Sequence, residues 1–153
     1  LPSSEFYNGG SADVYGLEMS SEWRVKCCWK IRAWYTYLKI KSKYDDSAYQ
    51  VPEKDEFGTP VNQAMLMSSW NVGRRVECDL IARYVDAVRF AGIPSYISAD
   101  VRLAWRPTEL LEFTVVGQNL FDPSHREYVP NPFTNEIGTE VPRGVYGMAT
   151  LRY

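Results

Sequence analysis

Apolar and polar residues alternate along most of the chain, in seven stretches that predict seven β-strands. In the last stretch Val145, Gly147, Ala149, Leu151 and Tyr153 occupy every second position. A period of two indicates a strand with two different faces, because successive side chains point to opposite sides of a sheet. The predicted strands are Ala12–Trp23, Trp29–Lys41, Asn62–Asn71, Val76–Asp86, Tyr96–Arg106, Leu111–Phe121 and Val141–Tyr153.

These strands predict an all-β, antiparallel meander. Most of them approach the roughly 9–11 residues that a tilted strand needs to cross a bilayer. Charged residues recur at alternate positions on one face of the first two strands. In a soluble sheet such a face meets the surrounding water, and in a membrane barrel it lines a wet interior.

The predicted connections alternate between short and long. Leu1–Ser11 is predicted as a loop, and Ser42–Pro60 and Asp122–Glu140 are long loops rich in charge or proline. Short turns at one end and long loops at the other are typical of outer-membrane barrels. Long loops are also frequent ligand sites. The candidate ligand contacts, each alternatively an ordinary packing residue of its loop, are Tyr44, Tyr49, Phe57, Tyr128 and Phe133.

Aromatic residues are placed where a membrane interface would need them. Trp23, Trp70 and Trp105 each end a predicted strand beside a short turn, on its apolar side. In an antiparallel meander these ends fall at one level, and Tyr153 ends its strand at the same level. Such a row predicts an aromatic girdle at a membrane interface. The alternative is a set of hydrophobic plugs at one end of a soluble sandwich.

Composition restricts the function further. The 153 residues carry a net charge of -2, which leaves no basic footprint for nucleic acid. The mean hydropathy is -0.34, and no apolar run reaches the length of a membrane-spanning helix. No signal peptide is visible, so an exported protein would be represented by its mature part or by a fragment.

The candidate chemistry is sparse. Three cysteines, Cys27, Cys28 and Cys78, fit neither a disulfide framework nor a zinc site, and His125 is the single histidine. Together with Ser3, Ser4 and Asp100, His125 forms no triad spacing. The sequence therefore predicts no enzyme, no catalytic residue, no metal site and no cofactor.

Several segments resemble the C-terminal part of TonB-dependent outer-membrane receptors. Val116–Asp122, with the letters VGQNLFD, resembles the signature of their penultimate strand. Pro142–Gly147 and the run to the terminal aromatic resemble their last strand. Leu103–Pro107 and Val14–Glu18 also fit the family. The resemblance covers nearly the whole chain.

The resemblance implies a barrel of about 22 strands with a plugged lumen, in the bacterial outer membrane. It also implies an N-terminal plug domain, whose box engages the TonB energy-coupling protein; neither is visible here. We therefore expect residues 1–153 to be the C-terminal part of the barrel domain, from a fragment or a split receptor. The implied partners are outer-membrane lipids, the remainder of the receptor, and TonB through the missing plug.

The last strand also resembles the signal that the barrel assembly machinery reads. Leu151 and Tyr153 match its final apolar or aromatic positions, and Tyr146 matches the upstream position. Met148 departs from the signal, which prefers glycine there, and Gly147 stands one position early. An exposed edge strand is a natural template for strand addition. Tyr153 is alternatively a girdle residue only, and both roles are compatible.

For function, the resemblance implies uptake of a small-molecule ligand, namely a siderophore–iron complex, cobalamin or a similarly scarce compound. Two alternatives stay open. A small self-contained outer-membrane barrel, serving as an anchor or adhesin, would need an eighth strand from Leu1–Gly10. A soluble β-sandwich would act as a binding module and would show polar outer faces over a dry core.

Overall fold

The structure is a computed structural model that describes residues 10–44, 59–88, 92–128 and 138–153. Most of the predicted loop 42–60 lies outside these ranges. Three of the candidate ligand contacts, Tyr49, Phe57 and Phe133, also lie outside them, as do Ser3 and Ser4.

Seven strands form one antiparallel sheet in which neighbours along the chain are neighbours in space, except at the last step. The prediction of a seven-stranded meander is confirmed. Two further strands of two residues each form a separate small hairpin between β6 and the last strand. The strands are β1 Gly10–Lys26, β2 Trp29–Tyr44, β3 Asn62–Val72, β4 Val76–Val85, β5 Tyr96–Trp105, β6 Leu111–Gln118, β7 Ser124–His125, β8 Val141–Pro142 and β9 Gly144–Leu151.

The first hairpin is longer than the sequence predicted. β1 and β2 pair from Gly10 opposite Tyr44 to Lys26 opposite Trp29, with an irregularity before Lys26. Gly10 was therefore wrongly assigned to a loop, and the turn is reduced to the two cysteines between the strands. Backbone hydrogen bonds form the ladder, so pairing continues where the side chains no longer alternate between apolar and polar.

The strand β6 ends three residues earlier than predicted, at Gln118. Asn119 has a φ of 51°, in the left-handed region, which a strand cannot continue through. Leu120 then donates its N–H to the carbonyl of Ala99 at 2.8 Å. Its side chain lies over Gly117, where a Cβ atom would come within 3.1 Å. The VGQNLFD motif is therefore a strand end folded back on its own sheet.

The last predicted strand, Val141–Tyr153, is interrupted. Val141 belongs to β8, and Arg143 donates its N–H to the carbonyl of Pro123 at 3.1 Å instead of to β6. The long strand begins at Gly144. The ladder continues one residue past β9, where Arg152 donates its N–H to the carbonyl of Leu110 at 2.8 Å.

The described residues contain almost no apolar core. The only buried hydrophobic residues among them are Val88, Ile93, Ala99 and Ala104. The seven long strands form one sheet, and the second sheet among the described residues is the two-stranded hairpin, so the described residues do not form the two packed sheets of the sandwich alternative. No helix in the described ranges is long and apolar enough to cross a membrane.

Candidate functional site

The seven-stranded sheet has one continuous apolar face. Residues opposite each other in an antiparallel ladder share a face. The row that begins at Trp29 continues through Trp70, Cys78, Leu103 and Val115 on the next four strands. Every residue of this row is apolar, and the rows two residues to either side carry no charge, with Ser68 as their one polar residue. The alternating apolar residues of the sequence thus form one hydrophobic surface.

This apolar face is exposed. Leu17 is 52% accessible, Leu66 51%, Ile97 55% and Leu103 48%. A soluble monomer rarely exposes a contiguous apolar patch of more than a few hundred Å². The face therefore needs apolar surroundings outside the described residues.

The three tryptophans predicted as a girdle lie on this apolar face along a diagonal. Trp23 is level with Ser68 in the register, and Trp70 follows two residues later on the same strand. Trp105 is level with Val72, two residues later again. From each tryptophan to the next, the position moves two residues along the strand direction and two strands across the sheet. At ~3.3 Å per residue and ~4.8 Å per strand, this displacement corresponds to a tilt of about 35°. Barrel strands tilt by roughly 35–45°, which would bring all three tryptophans to one height.

A second aromatic level lies on the same face, and sequence reasoning missed it. Tyr37 is level with Asn62 and Tyr84 with Ala64, so these tyrosines follow the same diagonal. Tyr15 lies eight residues from Trp23 along β1. At a tilt of about 35°, eight residues span about 22 Å of height. The register between strands, which the sequence does not display, was needed to find this level.

Charged residues are absent from the apolar face between the two aromatic levels, as far as the structure describes it. Charged residues on this side of the sheet begin beyond the level of the tyrosines. They are Asp13, Lys39, Lys41 and Lys43, which point to the same side as the apolar face. The face is therefore a charge-free band about 22 Å high with aromatic borders. Barrels in outer membranes carry an apolar band of about 25 Å with the same borders.

The opposite face of the sheet holds a connected set of ion pairs. Arg106 contacts Glu77 at 2.7 Å and Glu112 at 2.6 Å. Arg102 contacts Asp79 at 3.0 Å and Glu77 at 3.4 Å. These five residues come from β4, β5, β6 and the turn after β5, so the pairs join three neighbouring strands. Opposite charges on one sheet face stabilise strand pairing.

Charges of opposite sign are also paired on the rest of the polar face. Arg152 contacts Glu112 at 3.1 Å, Arg83 pairs with Asp100, and Arg32 contacts Glu22 at 2.8 Å. Each of these charges has a partner of opposite sign on its own or a neighbouring strand. A face with this many charges requires a hydrated or polar neighbour. The prediction of one charged face holds for Glu18, Glu22, Lys30 and Arg32, whereas Asp13, Lys39 and Lys41 lie on the opposite side of the first two strands.

The three residues of the predicted assembly signal lie at the edge of the sheet. Tyr146 belongs to the polar side of β9 and Leu151 to the apolar side. β9 pairs only with β6 in the described sheet, so its second edge is open. Tyr153 follows the strand and is fully exposed. The roles of Tyr146, Leu151 and Tyr153 in assembly, and of the aromatics in a girdle, stay predictions.

Two of the candidate ligand contacts fall within the described residues. Tyr44 ends β2 opposite Gly10, so its backbone belongs to the sheet and not to the predicted loop. Tyr128 lies between the two strands of the small hairpin, after β7, and is 42% exposed. Its hydroxyl lies 3.5 Å from the hydroxyl of Thr139. Ligand contact by either residue stays a prediction.

The small hairpin of β7 and β8 carries a further pair of polar contacts. The hydroxyl of Ser124 donates to Glu140 at 2.7 Å, and Arg126 lies 3.4 Å from the same carboxylate. The hydrogen bond from Ser124, together with the charge of Arg126, holds the pKa of the Glu140 carboxyl below its usual range. In the described ranges, no three His, Cys, Asp or Glu residues are grouped to hold a metal ion.

Comparisons with known proteins agree with this geometry. No protein-family model matches the chain. Over 127 residues, the chain is 26% identical to the pesticin receptor of Yersinia pestis. The match covers 79% of this chain and 19% of that receptor, so the chain spans about a fifth of the length of the curated relatives it matches.

Two solved structures share the fold. The ferric yersiniabactin uptake receptor FyuA of Yersinia pestis matches 94% of this chain and 24% of its own, with 22% identity and a TM-score of 0.74. The ferric-catecholate import receptor Fiu of E. coli K12 matches 92% of this chain and 21% of its own, with 23% identity and a TM-score of 0.68.

The described sheet therefore has the fold of a barrel wall from this class of receptor. The resemblance to the C-terminal barrel segment of TonB-dependent receptors is confirmed. The relatives reported above are named as receptors, in agreement with the prediction that the chain is not an enzyme.

Proposed function

We propose that this chain forms part of the wall of an outer-membrane receptor barrel. The charge-free band faces lipid, the two aromatic levels lie at its interfaces, and the ion-paired face lines the lumen. The observation that carries the proposal is the band itself, because a hydrophobic surface of this height and with these borders matches the membrane-facing side of a barrel.

The proposed activity is TonB-dependent uptake of an iron chelate, with cobalamin or another scarce small molecule as the less favoured ligand. The names of FyuA and Fiu support a ferric chelate, since both import iron compounds. Uptake requires further partners. A plug domain would couple the barrel to TonB, and the barrel assembly machinery would read the edge strand through Tyr146, Leu151 and Tyr153.

Uptake in cells tests this proposal. Deleting the gene that encodes the chain should abolish transport of at least one radiolabelled ferric siderophore, and the complete gene should restore it. The protein should be recovered with the outer-membrane fraction. Transport of labelled cobalamin serves as the matched control, because the same energy-coupling system would drive both compounds through different receptors.

The proposed ligand class would be wrong if the deletion abolished cobalamin transport and left every ferric siderophore unaffected. Recovery of the complete protein in the soluble fraction would contradict the membrane location itself.

A further inference from the structure

The hairpin of β1 and β2 carries its charges on different sides at its two ends. Between Trp29 and Tyr37 the charged residues lie on the polar face of the sheet. Beyond the level of Tyr37 they lie on the side of the charge-free band, and the other side holds uncharged residues. The charged residues are Asp13, Lys39, Lys41 and Lys43, and the uncharged residues behind them include Ala12, Val14, Leu38, Ile40 and Ser42.

The three lysines form a column on one side of β2, with successive residues roughly 7 Å apart. Asp13 is the one carboxylate on this side of the hairpin in the described ranges, and it lies 3.5 Å from Lys43. Both side chains of this pair are largely exposed, so the pair is weak. Three lysines against one aspartate leave the column with a net charge of +2.

Lys39 and Lys41 have an aromatic neighbour and no carboxylate partner among the described residues. Lys39 lies opposite Tyr15 in the register, and Nζ of Lys41 lies 5.8 Å from the centroid of the Tyr15 ring. The next carboxylate on this side of the sheet, Asp86, lies two strands away and accepts a hydrogen bond from Asn62. A contact with an aromatic ring is weak at an exposed site and leaves the ammonium donors available to an anion.

The column begins directly beyond the upper aromatic level. Lys39 and Lys41 follow Tyr37, which borders the charge-free band, by two and four residues. At ~3.3 Å per residue and a tilt of about 35°, their Cα atoms lie about 5 and 11 Å beyond that of Tyr37. Headgroups add roughly 5–8 Å to each side of the hydrocarbon core of a bilayer. The ammonium groups of these two lysines, on flexible stems, therefore reach the headgroups.

The column lies at the end of the sheet that has the long connections. Residues 45–61 join β2 to β3 at this end, whereas only Cys27 and Cys28 join β1 to β2 at the other end. The long connections of outer-membrane barrels are on the outside of the cell. The outer leaflet of that membrane consists of glycolipids whose headgroups carry phosphate groups. The inference that follows therefore rests on the proposed membrane location.

We propose that Lys39 and Lys41 bind the phosphate groups of an outer-leaflet glycolipid, with Lys43 as a weaker third contact because Asp13 is beside it. Ammonium groups at headgroup height, without carboxylate partners, match phosphates both in charge and in position. The contact is on the outer side of the sheet, opposite the ion-paired face that is proposed to line the lumen. It therefore fixes the barrel in its leaflet and takes no part in binding the transported ligand.

Native mass spectrometry of the complete protein in detergent micelles tests the proposal, with diphosphoryl lipid A as the probe. Lipid A without its two phosphates is the matched lipid, and EDTA prevents a divalent cation from bridging phosphate to Asp13. We expect saturable binding of diphosphoryl lipid A and weakening by at least about tenfold when the phosphates are removed. Lys39→Gln combined with Lys41→Gln should weaken binding about 25-fold, from roughly fivefold for each lysine.

Lys26→Gln combined with Lys30→Gln is the control variant. It removes the same number of charges from the same hairpin, at the opposite end. It should leave the affinity for diphosphoryl lipid A unchanged. Equal binding of the two lipids, or equal weakening by the two double variants, would overturn the proposal. Displacement of lipid A by an equimolar amount of inorganic phosphate would also overturn it, because the site would then bind free anions and not a lipid.

The cell experiments described above distinguish a failure of this inference from a failure of the proposed function. If the protein is recovered with the outer membrane and restores ferric-siderophore transport, but binds both forms of lipid A equally, the lipid contact alone is wrong. Recovery of the complete protein in the soluble fraction would overturn the lipid contact together with the membrane location.

Discussion

Replacing Leu80 by arginine should lower the free energy of unfolding in a lipid bilayer by about 2–4 kcal/mol, the cost of a cation near the midplane of a barrel's lipid face. Leu80 lies in the middle of β4 on the charge-free band, between Ser68 and Val101, and is 40% exposed. Lipid offers the guanidinium no acceptor, so its desolvation is not compensated.

Ile81→Arg is the matched control for this experiment. Ile81 is the next residue in the chain, but it lies on the polar face of the sheet, opposite Asp100. A cation there meets a carboxylate and a hydrated neighbour, so we expect a much smaller loss. The measurement is denaturant unfolding of the complete protein in vesicles, followed by tryptophan fluorescence. Equal losses for the two variants would contradict the assignment of the faces.

Asn119→Val should cost about 3 kcal/mol of stability, from two separate causes. The φ of 51° forces a β-branched residue into the left-handed region, at roughly 1–2 kcal/mol. The substitution also removes the hydrogen bond to the carbonyl of Val141, which is worth roughly 1–3 kcal/mol when the remaining partner stays buried. The turn that follows β6 should therefore become the weakest point of the sheet.

Asn119→Gly separates the two causes. Glycine adopts a φ of 51° without strain, so only the side-chain hydrogen bonds are lost. Its unfolding midpoint should lie between those of the wild type and Asn119→Val. If valine and glycine destabilise the protein equally, backbone strain does not contribute at this residue.

Much of the sheet was predictable from the sequence, because its strands have two chemically different faces. All seven long strands are recognisable from the alternation of apolar and polar residues. The same alternation assigned Trp23, Trp70 and Trp105 to the apolar side before their neighbours in the sheet were known. The strand ends were less predictable. β1 and β2 continue past the alternating stretch, since the ladder of backbone hydrogen bonds does not require side chains that alternate.

The contacts between the small hairpin and Asn119 were not predictable. The strands β7 and β8 have two residues each, which is too short to show a period. His125 was dismissed as a lone histidine because its neighbours Tyr96 and Asn119 come from other strand ends and meet it only after folding. The left-handed asparagine in VGQNLFD was a usable signal, since Asn is enriched in that region of φ.

The second aromatic level was hidden for a different reason. Tyr15, Tyr37 and Tyr84 are spaced irregularly along the chain, and only the register of three strand pairs aligns them. Their common height also depends on the tilt of the strands. A sequence specifies which face a residue occupies more directly than its height on that face.

The orientation of the sheet in a bilayer can be measured directly on β1. Single cysteines at each position from Leu17 to Trp23 would carry a spin label, with Cys27, Cys28 and Cys78 first replaced by serine, and the complete protein would be reconstituted in lipid vesicles. The charge-free band predicts that labels at odd-numbered positions collide mainly with dissolved oxygen. Labels at even-numbered positions, on the side of Glu22, should collide mainly with a water-soluble nickel chelate. Equal access of the chelate to both sets of positions, or a reversed pattern, would contradict the account.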